Sequence, residues 1–114
     1  MSLREIYDLI TEQDAINTLR KYTSYDMIEM IKEEIDIRKL GAFISWFEKQ
    51  YEDIHIIDIY PVYDVDETGD FIFVEIDLYC DENGNLELSK EVKAYMREQG
   101  FTDLAGHVAL ICKD

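Results

Sequence analysis

The chain has 114 residues, 47% of them hydrophobic and 32% charged, with five Gly and one Pro, a composition that fits one compact domain over 1–114 and excludes a disordered chain. Its formal charge of -15 repels nucleic-acid phosphates and anionic membranes, so direct nucleic-acid and membrane partners are not expected, while divalent cations and basic protein surfaces are attracted. The charge is uneven: residues 52–87 carry twelve acidic side chains and no Lys or Arg.

Leu3, Ile6 and Ile10, then Ile16, Leu19 and Tyr22, recur at helical spacing. Thr11 followed by Asp14 reads as a cap for a second piece, so this stretch is one helix or two. Thr23 or Ser24 caps the next helix, whose Met27, Ile28, Ile31 and Ile35 share a face. Arg38 and Lys39 before Gly41 resemble a helix end, with cations in the last turn and Gly beyond it. An unbroken helix over 25–51 would reach roughly 40 Å. A break at Gly41 is therefore expected, followed by a helix on which Phe43, Trp46 and Phe47 fill the core.

From Ile54 the period changes to two. IHIIDIYPVYDV and DFIFVEIDLYC, separated by DETG, predict a β-hairpin. DENGN closes the second strand, Ser89 caps a helix over KEVKAYMREQ, and Gly100 ends it. HVALIC is the last strand, apolar on both faces and so expected in the interior of the sheet. The order α-α-β-β-α-β predicts an α+β fold with a three-stranded mixed sheet and helices mainly on one face.

Three readings bear on function. Asp64, Asp66, Thr68, Gly69, Phe71 and Glu75 occupy positions 1, 3, 5, 6, 8 and 12 of a calcium-loop template. Such a loop joins two helices, whereas both flanks here have strand periodicity, so the template is matched in letters and violated in context. Asp64, Asp66 and Asp70 stay as a looser cation set, against the simpler reading that Asp and Gly make a good turn.

The second reading follows from register. A four-residue DETG loop pairs Val65 with Asp70, Tyr63 with Ile72, Pro61 with Val74, Ile59 with Ile76 and Ile57 with Leu78, which makes one apolar face. The other face pairs Val62 with Phe73, Tyr60 with Glu75, Asp58 with Asp77 and Ile56 with Tyr79. A three-residue loop would turn Asp58 into the apolar face and is rejected on that ground. Opposed like charges destabilise a sheet, so Asp58 and Asp77 need a divalent cation, a protonated carboxyl or free access to water. Asp58, Glu75 and Asp77 are thus candidate ligands for Mg, Mn or Ca, and with metal they would suit chemistry on phosphate esters.

The third reading places Tyr60, Phe71, Phe73 and Tyr79 with Asp58, Glu75 and Asp77 on the face away from the helices. An aromatic patch ringed by carboxylates suits a partner that brings Arg or Lys to the contact. A binding or regulatory module, in an inhibitor, immunity-type or charge-mimic role, is the leading expectation, with the metal-dependent enzyme as alternative. A second copy of the chain is the competing cover for this face.

His55 and His107 are isolated, and neither Cys80 nor Cys112 has metal or nucleophile spacing. They are expected as two buried thiols. No apolar leader or span of 18 residues occurs, so the cytoplasm is the expected compartment.

Overall fold

Four helices open the chain: α1 (Leu3–Leu9), α2 (Glu12–Leu19), α3 (Tyr25–Lys32) and α4 (Ile37–Gln50). Strands β1 (His55–Val65) and β2 (Phe71–Tyr79), helices α5 (Asn85–Glu98) and α6 (Thr102–His107), and strand β3 (Val108–Lys113) follow. The computed structural model describes residues 1–80 and 85–113. The fold is α+β, with helices leading into a three-stranded mixed sheet of order β1-β2-β3.

Short polar side chains set the helix starts. Ser2 with Glu5 and Thr11 with Asp14 each form a capping box, so the first helical stretch is two helices. Ser24 accepts from Met27 N–H at the start of α3, and Asp36 accepts from Arg38 N–H at the start of α4. The break that the sequence placed at Gly41 lies instead at 33–36, and Gly41 is inside α4. Its role is close packing: a Cβ at position 41 would sit 2.6 Å from the Cα of Ala15 on α2 and closer still to its Cβ. A Gly that looks like a stop is here the point where two helix backbones meet.

Phe43, Phe47 and Leu40 of α4 join Leu3, Leu19, Ile28 and Ile31 in the core, with Val92 and Met96 of α5 and Phe101 closing it. The sheet contributes Ile59, Val74, Ile76, Leu78 and Val108, all fully buried or nearly so. α5 begins at Asn85, so Ser89 lies inside the helix and does not cap it. The rest of the DENGN turn, 81–84, falls outside the described residues.

β1 has 11 residues against nine in β2, and two bulges absorb the difference. Pairing holds as expected at Asp58–Asp77, Ile59–Ile76, Tyr60–Glu75 and Pro61–Val74, then slips between Ile56 and Asp58 and between Pro61 and Asp64. The outer pairs are therefore corrected to Ile56–Leu78, His55–Tyr79, Asp64–Ile72 and Val65–Phe71. Each bulge inserts one unpaired residue and re-aims its neighbours, which leaves Ile57 and Tyr63 exposed instead of core-facing. Gly69, at φ 90, supplies the left-handed residue of the turn, whose Gly69 N–H donates to the Asp66 carbonyl at 3.1 Å.

Two further expectations are corrected. Among the described residues β3 pairs in parallel with β2 alone, so it is an edge strand and β2 is the central one. HVALIC is apolar on both faces because Val108 and Leu110 enter the core while Ala109 and Ile111 lie on the sheet's outer side. Cys80 and Cys112 form a disulfide, with Cα atoms 5.7 Å apart. Cys112 pairs with Leu78, which sets Cys80 diagonally beside it on the neighbouring strand, a relationship invisible until strand order is known. No described helix is long and apolar enough to cross a membrane.

Candidate binding face on the hairpin

Strict alternation along β2 sorts its side chains. Ile72, Val74, Ile76 and Leu78 are buried, whereas Phe71, Phe73, Glu75, Asp77 and Tyr79 are exposed or half-buried. Tyr60 and Asp58 lie beside Glu75 and Asp77 on one flank, and Ala109, Ile111 and Lys113 lie beside Glu75, Asp77 and Tyr79 on the other. The seven side chains of the candidate face are thus held by the two strands of the hairpin, with Phe71 at one end and Tyr79 at the other.

The middle of this face is acidic. Asp58 stands opposite Asp77 but is exposed, so water screens its share of the repulsion. Asp77 is only 13% exposed, and it accepts a long hydrogen bond from the Tyr60 hydroxyl at 3.4 Å and has the Lys113 ammonium 4.0 Å away. Burial raises the Glu75 carboxyl above its ordinary value, and a hydrogen bond with Asp77 and the Asp77 charge push the same way while Lys113 opposes them.

Among the described residues no group of three or more His, Cys, Asp or Glu converges closely enough to hold a metal ion. At the hairpin tip the carboxylates hold the turn. Asp66 Oδ1 accepts from Thr68 N–H at 2.9 Å, from the Thr68 hydroxyl at 2.7 Å and from Asp70 N–H at 3.0 Å. Asp64 Oδ1 accepts from Val65 N–H at 2.8 Å, and Asp70 shares the Thr68 hydroxyl at 3.1 Å. The bonds that Asp66 accepts, the Thr68 hydroxyl first, hold its carboxyl below its ordinary value.

The Phe71 end is aromatic. Phe71 stacks on Phe73 with ring centres 6.3 Å apart, Tyr63 meets Phe73 edge-on at 6.5 Å, and His107 lies 5.1 Å from Phe73. His107 Nδ1–H donates to the Phe71 carbonyl at 2.8 Å, beyond the point where β3 pairing starts at Val74. Tyr63 and Phe71 are 67% and 60% exposed, and with Val65, Phe73, Asp64 and Glu34 they line a groove of about 290 Å³. Exposed apolar patches of this kind mark interaction surfaces, ligand grooves or aggregation-prone surface.

Tyr63, Val65, Glu34 and His107 extend the face; from the sequence His107 was set aside as isolated, and the other three were not assigned to this face. Tyr63 was assigned to the core because the bulge after Pro61 was not anticipated; the two-residue excess of β1 over β2 that marks it is visible only once the strand ends are known. A larger hollow of about 620 Å³ lies between α4 and α5, lined in part by Trp46, Tyr51, Tyr95 and Glu91. There the rings pack on one another, Trp46 stacking on Tyr95 at 4.6 Å and meeting Tyr51 edge-on at 5.9 Å. No protein-family model matches the chain, and neither a curated protein nor a solved structure matches it.

Proposed function

We propose that this protein is a small acidic binding or regulatory module that engages a basic protein surface through the outer face of its hairpin. The observation that carries the reading is the adjacency, on one pair of strands, of the exposed Tyr63–Phe71 groove and the carboxylates of Asp58, Glu75 and Asp77. Aromatic rings supply apolar area at small entropic cost, and carboxylates beside them select Arg or Lys and repel acidic competitors. The charge of -15 supports the same reading, because it speeds encounter with basic partners. Inhibitor, immunity-type and charge-mimic roles all use such a surface.

The test is binding of basic proteins and of an arginine-rich peptide across a salt series, with Asp77→Asn and Phe71→Ala beside the natural chain. The reading expects affinity to fall steeply with salt, Asp77→Asn to flatten that dependence, and Phe71→Ala to weaken binding at every salt concentration. Binding that ignores both substitutions would remove the hairpin face from the account.

A further inference from the structure

Among the described residues the two edges of the sheet carry no further strand, and they are built differently. On β1 the edge is obstructed three times: Pro61 has no N–H to offer, two bulges break the ladder, and the Ile59 N–H already donates to the Tyr22 carbonyl at 3.3 Å. These are the devices by which edge strands avoid pairing with other chains. β3 has none of them. Its six residues, VALICK, run in unbroken register beside β2 from Val74–Val108 to Tyr79–Lys113, with no Pro and no bulge, and Lys113 at the end is their one charge. The disulfide between Cys80 and Cys112 ties this strand to β2, so the edge is held in an extended form.

We propose that β3 is a docking edge on which a basic, extended segment of the partner adds as a fourth strand. The inference rests on the function proposed above and specifies how the partner is held. Main-chain hydrogen bonds to the edge supply affinity that is blind to sequence, and alternate side chains supply the choice of partner. On the outer face the residue of β3 beside Glu75 is Ala109, which is too small to screen that carboxylate. An added strand lies two inter-strand spacings from β2, roughly 9.5 Å. An Arg or Lys placed next to Ala109 crosses that gap, reaching over the methyl group to Glu75 while Glu75 extends toward it. A second copy of this chain is the poorer occupant, because pairing two β3 edges would join two acidic sheets in chains of charge -15 each.

The experiment uses the full chain with two synthetic probes: a short peptide alternating Lys and Val, and the same peptide with every Val replaced by Pro, which keeps the charge and weakens strand pairing by fixing φ and removing every second N–H. Affinity is read together with hydrogen exchange at the amides of Val108–Lys113. The inference expects the Lys-Val peptide to bind, to slow exchange in β3, and to bind at least about tenfold more tightly than the Pro peptide. Ala109→Lys should abolish that advantage by placing a resident ammonium beside Glu75, while Ala109→Ser should keep it. Equal binding of both peptides with unchanged exchange in β3 would overturn the docking edge and leave the acidic face standing. Binding of neither would overturn both. Slowed exchange in β3 that rises with protein concentration and needs no peptide would overturn the inference in favour of a second copy.

Discussion

Asp58 and Asp77 stand opposite each other on adjacent antiparallel strands, and their surroundings differ: Asp77 is mostly covered and has the Tyr60 hydroxyl and the Lys113 ammonium for neighbours, while Asp58 is exposed to water. The repulsion is therefore relieved from one side. Asp58→Asn is expected to stabilise the fold by about 0.2–1 kcal/mol, the range for cross-strand pairs. Asp77→Asn relieves the same repulsion but also loses the attraction of Lys113, so its gain should be smaller. Denaturant midpoints of the two variants check the order.

Glu75 predicts a pH dependence of definite sign. Its carboxyl is raised in the folded protein, by burial first and by Asp77 second, so the folded state binds more protons than the unfolded state just above the ordinary carboxylate range. Stability from this group is present at low pH and is lost as pH rises through the folded value. Asp66 and Asp103 are lowered and act oppositely, adding stability at neutral pH that is lost as pH falls through their folded values. Glu75→Gln should thus raise the melting temperature at neutral pH and leave it unchanged where Glu75 is protonated in both states. An equal shift at both pH values would contradict the assignment.

The disulfide closes a segment with a sequence separation of 32 residues. Chain entropy alone assigns a loop of that size about 3–4 kcal/mol of stability. Cys80→Ser, Cys112→Ser and a thiol reductant acting on the natural chain should lower the melting temperature by similar amounts, with the loss of the bond verified by mass.

Gly41→Ala tests the α2–α4 crossing. A methyl group improves helix propensity by about 0.8–1 kcal/mol, and against it stands a contact with the Ala15 backbone that requires one helix to move. Overpacking of this kind typically costs about 1–3 kcal/mol, so a net destabilisation is expected in urea unfolding. A net gain would contradict the close approach of Gly41 to Ala15.

The fold was readable where one physical signal dominated. The strand period from Ile54, the turn at DETG and the register at 58–61 all followed from burying one apolar face, and the structure has them. What escaped depended on long-range geometry. Gly41 has the local chemistry of a helix end, and only the presence of Ala15 across from it explains why a Gly stands inside the helix. β3 looked interior because its apolar residues occupy both faces, but an edge and a centre differ in neighbours, which composition does not record. The six residues of α6 carry no side-chain cap to mark them. For the candidate face, the central carboxylates and Tyr60 followed from register, whereas Tyr63 was hidden by a bulge that redirects one residue.

The most direct test of the account is mapping of backbone amide chemical shifts in the labelled chain as an arginine-rich peptide is added. The account predicts that the largest changes fall on Tyr60, Tyr63, Phe71, Phe73, Glu75 and Asp77 and on the adjoining β3 amides of Val108–Lys113, and that Phe71→Ala, which removes a ring already 60% exposed, reduces them while altering stability by no more than about 0.5 kcal/mol. Changes centred on the α4–α5 hollow around Trp46 and Tyr95, or spread evenly over the acidic helices, would contradict it.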